Sequence, residues 1–176
     1  ARVLTPQEKE GCAKKIFDFD DLTVQRALVG KSAQVVALQA GLAHDERLRL
    51  LVVPAAAEEM SGPYGHEKLA PVVSLFTAHG EAEGFEMCRA ILAQQGSGHT
   101  AMIHSRSQAS AERFSLGMPV SRILVNTPGT QGCIGLGTGL TPSLTLGCGT
   151  YGRNSITDNV TYTHLLNIKR MALSLG

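Results

Sequence analysis

The stretch TAMIHSRSQASAERFSLGMPVSRILVN, residues 100–126, decides the predicted fold. Its pattern predicts a strand over residues 100–105, a helix over residues 107–117 and a second strand over residues 120–126, with Ile123 and Val125 on one face. A helix between two strands is typical of a parallel pair, because parallel strands need a long crossover connection. The stretch therefore predicts an α/β fold.

The same alternation of helices and strands continues on both sides. Thr5 caps the first predicted helix, with Pro6 at its first helical position, and Ser32 caps the second, which Gly41 ends. The further predicted elements are helices over residues 5–16, 32–42, 81–95 and 163–173 and strands over residues 48–53, 71–78 and 144–146. On the 81–95 helix, the residues predicted to face the core are Phe85, Cys88, Ala90, Ile91 and Leu92. The sequence thus predicts one α/β domain with a mostly parallel open sheet and flanking helices.

Charge and hydropathy exclude two classes of partner. Lys and Arg (16) nearly balance Asp and Glu (15), which gives a net charge of +1, and the basic residues are scattered. Such a chain lacks the electrostatic field that holds nucleic acid or an anionic membrane. The longest apolar runs, such as residues 48–57, are interrupted or too short to cross a bilayer. We therefore expect no nucleic-acid partner and no membrane partner.

Four cysteines occur, and no two of them form a CxxC pair: Cys12, Cys88, Cys133 and Cys148. This spacing suggests no disulfide framework and favours a reducing, cytoplasmic setting. Cys148 lies between two glycines that could expose its thiol, but a nucleophile needs a neighbouring base or a helix N-terminus to lower its pKa. Because no such partner is readable from the sequence, we interpret Cys148 as structural.

Two segments imitate nucleotide-binding loops. Gly30-Lys31-Ser32 precedes a helix as in a P-loop, but Gln25 stands where that motif needs a glycine, so we interpret the segment as a turn and a helix cap. The glycines of residues 135–139 suggest a dinucleotide fingerprint, which would need a glycine at position 140 and a following helix. Leu140 and Pro142 oppose both requirements. We expect instead a loop whose glycines let the backbone approach a ligand or another chain.

The histidines predict no metal site. His99 and His104 are five residues apart on one predicted strand, so they face opposite sides and cannot bind one metal ion together. No other histidine spacing suggests a set of ligands. His99 follows Gly96 and Gly98 at a strand entrance, where functional residues often occur. A histidine there can point out of the end of the sheet at which open α/β sheets bind ligands.

Five segments, in fixed order and spacing, resemble the CoA-acylating aldehyde dehydrogenases, including the aldehyde-oxidising half of bifunctional aldehyde/alcohol dehydrogenases. They are HEKLAPV (residues 66–72), GHTAMIHS (98–105), RILVNTPGTQGCIG (122–135), PSLTLGCGTYGRNSITDNV (142–160) and HLLNIKRMA (164–172). The resemblance implies the catalytic-domain fold of the aldehyde dehydrogenase superfamily. It also implies an enzyme that oxidises an aldehyde to an acyl-CoA thioester with NAD or NADP and coenzyme A, through a cysteine thiohemiacetal.

The resemblance also indicates what residues 1–176 contain. The family's catalytic cysteine falls before Ala1, and none of the four cysteines here has a matching context. We therefore expect a partial, C-terminal catalytic domain without the N-terminal dinucleotide-binding domain and without activity of its own. The alternative is a non-catalytic module that kept the fold for oligomerisation or ligand binding. A cysteine in a matching upstream context would separate the two.

The resemblance assigns roles to six residues. Glu67, which by composition alone belongs to an exposed turn, would accept hydrogen bonds from the ribose hydroxyls of the nicotinamide half, with Leu69 packing beside it. His99 would line the acyl and CoA side as an acid or base. The residues that would shape the aldehyde pocket are Asn126, Thr127 and Pro128.

Two departures from the bifunctional enzymes leave the substrate class open. The loop of residues 135–141 is shorter here, and Arg153 stands where that group has glycine. Acetaldehyde, propionaldehyde, succinate semialdehyde and sulfoacetaldehyde all remain candidate substrates. For the complete enzyme we expect a homo-oligomer in the cytoplasm or within a bacterial microcompartment.

Overall fold

Strands and helices alternate along most of the chain as far as residue 133. The computed structural model describes all of residues 1–176. Its strands and α-helices, in chain order, are β1 (Arg2–Val3), α1 (Pro6–Ile16), β2 (Phe17–Asp18), β3 (Thr23–Val24), α2 (Ala33–Ala40), β4 (Leu51–Pro54), β5 (Val72–Leu75), α3 (Glu81–Gln94), β6 (Gly98–Ile103), α4 (Gln108–Gly117), β7 (Val120–Val125) and α5 (Gly129–Cys133). The predicted α/β class is confirmed. No helix is long and apolar enough to cross a membrane.

The chain divides into two compact units, Ala1–Gln95 and Gly96–Gly176, where the sequence predicted one domain. The first unit contains a three-stranded parallel sheet in the order β1–β4–β5, together with the small antiparallel hairpin β2–β3. The second unit contains the parallel pair β6–β7. The predicted parallel pairing is therefore present, but it is distributed over two separate sheets.

Helices α1 and α2 begin and end where their capping residues predict. Thr5 accepts a hydrogen bond from the main-chain N–H of Glu8, and the Glu8 carboxylate accepts one from the N–H of Thr5, which completes a capping box. Ser32 caps α2 through the N–H of Val35, and Gly41 ends it with a left-handed φ of 74°. Both predicted helices are confirmed within two residues.

The core of the first unit lies between these helices and β4. Leu51 and Val53 alternate toward the interior, where each has at most 1% of its surface exposed. From α1 the buried residues are Cys12 and Ile16, and from α2 they are Ala33, Val36, Ala37 and Ala40. The period-two pattern of the strand and the helical spacing of α2 thus face a common apolar cluster.

Three features of the first unit were not predicted. β1 pairs in parallel with β4, and β2 pairs with β3 through Phe17 and Val24. Each of these strands has two residues, too few to show a periodic pattern. In α3 the buried residue is Met87; of the residues predicted to face the core, Ala90 is exposed and the others are half-buried.

In the second unit, α4 joins β6 to β7 as predicted. The two strands are in register from Gly98 opposite Val120 to Ile103 opposite Val125. Ser107 caps α4 through the N–H of Ser110. On β7 the buried face carries Arg122 and Leu124, so the predicted Ile123–Val125 face is the more exposed one.

Beyond β7 the chain follows loops for most of its length. The short helix α5 lies just before the glycines of residues 135–139, where no helix was predicted. The predicted strand over residues 144–146 reduces to a single bridge between Leu146 and Asn159. The predicted helix over residues 163–173 was wrong: only one 3₁₀ turn, Tyr162–Leu165, forms there. Its apolar residues are exposed, and a helix this short is unstable without a packing partner.

Candidate functional site

Glu67 lies on a tight loop that precedes β5. The loop begins with the buried residues Pro63, Tyr64 and Gly65, and a Cβ on Gly65 would collide with the carbonyl of Met60. The main-chain N–H of Glu67 donates to Oε1 of Gln95 at 2.6 Å. The Glu67 side chain itself is exposed. The backbone is therefore fixed while the carboxylate faces solvent.

Leu69 leaves the same loop in an unusual backbone conformation. Its φ is 34°, in the left-handed region, and 61% of its surface is exposed. Its carbonyl accepts a hydrogen bond of 2.8 Å from the N–H of Gly30. Leu69 thus presents an apolar side chain two residues from Glu67, as the predicted packing role requires. The cofactor-binding roles of both side chains stay predictions.

The two imitations of nucleotide-binding loops have local explanations. Gly30 forms a turn with a φ of 70°, and Ser32 caps α2, which confirms a turn and a helix cap. Gly135 has a φ of 89°, and a Cβ there would lie 2.7 Å from the carbonyl oxygen of Leu140. No helix follows that segment before Tyr162. The close approach of Gly135 is to its own loop.

His99 lies at the amino end of β6. The preceding Gly98 has a φ of 82°, and a Cβ on it would collide with the carbonyl of Cys148, so the 148–152 loop packs directly on this strand entrance. The His99 ring is exposed, and its Nδ1 lies 2.9 Å from Oγ1 of Thr100. Nε of Arg122 donates to the same Oγ1 at 3.1 Å.

These contacts orient the His99 ring. Oγ1 of Thr100 accepts a hydrogen bond from Nε of Arg122 and lies 2.9 Å from Nδ1 of His99. A hydroxyl donates one hydrogen bond and accepts two, so the contact fits either tautomer of the ring. Thr100 therefore fixes the orientation of the imidazole whichever nitrogen carries the proton.

Asn126 lies at the carboxyl end of β7 with a φ of 53°. Its Nδ2 donates to the carbonyl of Ser105 at 2.8 Å, and its Oδ1 accepts from the N–H of Ser105 at 2.9 Å. The amide therefore extends the pairing of β6 and β7 by one residue. Asn126 and Ser105 also line a cleft of about 580 Å³ at this edge, together with His104 and Gln108.

Thr127 and Pro128 connect this edge to α5. Pro128 is the exposed cap residue of the helix. Thr127 is half-buried, and its methyl group would lie 2.9 Å from a Cβ on Gly132, so the glycine allows the threonine to pack on α5. Both residues are placed to shape a surface rather than to bind a charged group.

The structure does not bring His99 and Asn126 together. The register of β6 and β7 places them at opposite ends of the pair. Five residues of strand separate the two ends, a length of roughly 17 Å. Open α/β sheets bind ligands at the carboxyl ends of their strands, where Asn126 lies. The prediction that His99 points out of that edge was therefore wrong, because His99 lies at the opposite edge.

The four cysteines lie in unreactive surroundings. Cys12 is buried and Cys88 half-buried, and burial raises the pKa of both thiols. Sγ of Cys133 lies 3.3 Å from the carbonyl of Thr130, and Sγ of Cys148 lies 3.8 Å from that of Leu146. These contacts supply no base. They agree with the structural interpretation of Cys148.

Two buried polar residues of the second unit escaped the sequence analysis. Arg122 donates to the carbonyls of Thr157 (3.0 Å) and Gly147 (2.7 Å) in addition to Thr100. Asn159 donates from Nδ2 to the carbonyls of Cys133 (2.9 Å) and Thr141 (2.7 Å). An arginine inside the apolar run RILV was the only available signal for the first, and the sequence carried none for the second.

No protein-family model matches the chain. Among curated proteins, it is 41% identical to aldehyde-alcohol dehydrogenase 2 of Entamoeba histolytica over 98% of this chain and 21% of that protein. It is 34% identical to the acetylating succinate-semialdehyde dehydrogenase of Clostridium kluyveri over 87% of this chain and 34% of that protein. Among solved structures, an acetylating aldehyde dehydrogenase from Geobacillus thermoglucosidasius superposes with a TM-score of 0.89 and 36% identity, over 99% of this chain and 38% of that one. The chain thus spans between about a fifth and two-fifths of the length of these relatives.

Proposed function

Because this chain is homologous to part of the CoA-acylating aldehyde dehydrogenases, we propose that it forms the C-terminal part of the catalytic domain of such an enzyme. One observation carries the proposal: 99% of the chain superposes on an acetylating aldehyde dehydrogenase at 36% identity. The alternative, a non-catalytic module that kept the fold, is not favoured by relatives that are named as enzymes.

The proposed reaction converts an aldehyde, NAD (or NADP) and coenzyme A into an acyl-CoA thioester, the reduced cofactor and a proton. A cysteine thiolate would add to the aldehyde carbonyl, and the nicotinamide, when bound, would supply the acceptor for the hydride that leaves the hemithioacetal carbon. The CoA thiol takes over the acyl group and releases the cysteine. Each of the four cysteines here lacks the activation that the first step needs, so we propose that the thiolate comes from another part of the complete enzyme.

Within this chain, Glu67 and Leu69 are the proposed cofactor-binding residues. The Glu67 carboxylate is exposed on a loop with a fixed backbone, so it can accept hydrogen bonds from two adjacent ribose hydroxyls without reorganisation of the loop. Leu69 offers an exposed apolar surface for the nicotinamide half.

His99 is the proposed acid or base on the acyl and CoA side. Its imidazole is exposed and contacts the hydroxyl of Thr100, which Arg122 holds by a hydrogen bond. Imidazole is suited to proton transfer near neutral pH, so we propose that it serves the CoA thiol.

At the opposite end of the β6–β7 pair, Thr127 and Pro128 are the proposed walls of the aldehyde pocket. Asn126 shapes that pocket as a scaffold, because both polar atoms of its amide already bond to Ser105. The proposed substrate of the complete enzyme is a small aldehyde. The complete enzyme is a homo-oligomer in the cytoplasm or in a microcompartment, with neither nucleic acid nor membrane as a partner.

The proposal is tested with the complete gene product that carries these residues. NADH formation is followed by absorbance with NAD, CoA and a panel of short aldehydes, for wild type, Glu67→Gln and His99→Ala. We expect Glu67→Gln to weaken NAD binding by about ten- to a hundredfold, since a charge-assisted contact is lost. We expect His99→Ala to slow turnover by ~10²-fold or more with little change in melting temperature.

Two results would count against the proposal. Near-normal turnover of His99→Ala with a lowered melting temperature would make His99 structural. CoA-dependent turnover by residues 1–176 alone that disappears in Cys148→Ser would show that the nucleophile had been misassigned.

A further inference from the structure

The ammonium group of Lys68 bonds to the segment of main chain that leads to Glu67. Its Nζ donates hydrogen bonds to the carbonyl oxygens of Tyr64 (2.6 Å) and His66 (2.7 Å). The side chain is half-buried, and burial lowers the pKa of the ammonium to about 8. The side chain of a residue next to Glu67 thus folds back on the segment that precedes Glu67.

Both carbonyls that Lys68 contacts belong to anchored residues. The Tyr64 ring is buried, lies edge-on to Phe17 with 4.9 Å between centroids, and has the ammonium of Lys9 4.5 Å above it. The His66 ring contacts the carbonyl of Gly62 through Nδ1 at 3.0 Å. Lys68 therefore ties its own position to fixed points.

Glu67 and Leu69, on either side of Lys68, each have one main-chain hydrogen bond, to Gln95 and Gly30 respectively. Leu69 has a left-handed backbone, a conformation that persists only where the surroundings impose it. Inside the loop, Lys68 makes two side-chain hydrogen bonds, beside the contact of the His66 ring with Gly62.

We propose that Lys68 is a positioning residue for cofactor binding: its ammonium holds residues 64–68 in the shape that presents the Glu67 carboxylate to the ribose of the nicotinamide half. This inference rests on the proposed cofactor role of Glu67. Lys68 touches neither the cofactor nor the reacting atoms, so it acts through Glu67.

The charge of Lys68 gives the proposal a pH signature. The closed loop buries Lys68 and lowers the pKa of its amino group from 10.5 to about 8, whereas an opened loop would return that group to water. The closed loop therefore binds fewer protons than the open loop above pH 8, so closure strengthens and the KM for NAD falls as the pH rises. The neutral amine keeps two N–H donors for the two carbonyls. The other ionisable groups at the loop are the His66 ring, the exposed Glu67 carboxylate and the Tyr64 phenol, whose pKa burial raises to about 12. The ionisable groups on the elements packed against the loop are Lys9, Glu59 and Cys12. The variants leave these three residues unchanged.

The test compares wild type, Lys68→Met, Lys68→Arg, Glu67→Gln and the Glu67→Gln/Lys68→Met double variant in the complete gene product. KM for NAD and kcat are measured between roughly pH 7 and pH 9.5, a range that brackets the titration. Lys31→Met, at an exposed lysine of the same unit, is the matched control. Lys68→Gln, which keeps a hydrogen-bond donor without charge, replaces Lys68→Met if the latter does not fold.

We expect Lys68→Met to raise the KM for NAD about tenfold at neutral pH, with a smaller change in kcat, and to abolish the fall above pH 8. Lys68→Arg should keep the low KM at neutral pH but show no fall above pH 8, because a guanidinium stays charged. The double variant should bind NAD no more weakly than Glu67→Gln alone.

The failures of the two proposals are distinguishable. If Glu67→Gln weakens NAD binding and Lys68→Met does not, the inference about Lys68 is overturned and the role of Glu67 stands. The same holds if the double variant shows the full sum of the two single effects. If Glu67→Gln alone leaves the KM for NAD unchanged, the cofactor role of Glu67 fails and the inference fails with it.

Discussion

The two units of the chain are stabilised by different interactions. In Ala1–Gln95, 16 buried residues form one hydrophobic cluster beside the sheet β1–β4–β5. In Gly96–Gly176, four hydrophobic side chains are buried, namely Ala111, Phe114, Met118 and Leu124. There Arg122 and Asn159, both buried, connect the loops by hydrogen bonds to four main-chain carbonyls.

The difference decides how each unit responds to change. Apolar burial has no direction and is spread over many contacts, so losing one side chain weakens the first unit as a whole. Hydrogen bonds to carbonyls are directional, and each fixes one point of a loop. Losing one of the two polar residues should therefore release a particular segment of the second unit and leave its strands paired.

The largest expected effect is that of Leu51→Ala. Leu51 is fully buried at the centre of the first sheet, so its truncation removes buried apolar surface and leaves a cavity. We expect a loss of about 3 kcal/mol in the free energy of unfolding. Urea unfolding gives the total, and residue-resolved hydrogen exchange shows where the loss falls.

The control is Val73→Ala on the neighbouring strand β5, where 42% of the side chain is exposed, and it should cost less than about 1 kcal/mol. An equal loss of exchange protection in Gly96–Gly176 would show that the units unfold together, and the comparison would then fail.

Arg122→Met should have a smaller and more local effect. Methionine keeps the unbranched apolar part of the side chain but loses the hydrogen bonds to Thr157, Gly147 and Thr100. It also removes the free-energy cost of burying the guanidinium charge. We expect a net cost of about 2 kcal/mol. It should appear as faster amide exchange over residues 147–157, with unchanged exchange in the first unit.

Arg106→Met, at an exposed arginine on the β6–α4 loop, is the matched control and should leave exchange unaltered. If Arg122→Met left the 147–157 segment fully protected, the loops of the second unit would be held by something other than these hydrogen bonds.

The smallest expected effect concerns pH and the first unit. Burial lowers the pKa of Lys68 from 10.5 to about 8. Between these two values the unfolded chain binds more protons than the folded chain, so the contribution of Lys68 to the free energy of unfolding rises with pH. The full cost of burying the ammonium is present below pH 8. The thiols of Cys12 and Cys88, whose pKa values burial raises, act in the opposite direction, so Lys68 must be isolated by difference.

The measurement is urea unfolding of wild type and Lys68→Met between roughly pH 7 and pH 10, the range over which Lys68 titrates. The stability of wild type relative to the variant should grow as pH rises above 8. A difference that stays constant over this range would mean that Lys68 titrates alike in the folded and unfolded chains.

The sequence predicted the first unit better than the second, because its structure follows from local rules. Thr5 and Ser32 each cap a helix by a bond to the N–H three residues on, and the apolar run of residues 48–53 contains the buried strand residues Leu51 and Val53. The hairpin β2–β3 was missed because two residues carry no period. The tail after Thr163 was misread because helical spacing of apolar residues predicts a helix only where something covers that face.

The sequence named candidate site residues, whose roles stay predictions, but not their geometry. The segments that resemble the family contain Glu67, His99 and Asn126, and the structure shows which neighbours each residue contacts. No pattern in the sequence indicates that both polar atoms of the Asn126 amide bond to the main chain of Ser105, because the two positions are 21 residues apart. The separation of His99 from Asn126 likewise depends on strand direction, which becomes visible only once β6 and β7 are paired.

The packing of Gly98 against Cys148 has a consequence for protein engineering. The strand entrance that carries His99 and the loop of residues 148–152 touch backbone to backbone, and a Cβ on Gly98 or on Gly152 would collide with Cys148. A version of either segment that carries a side chain in place of its glycine would therefore conflict with Cys148. A chimera meant to transfer substrate preference would have to take both segments from one parent, although about 50 residues of sequence separate them.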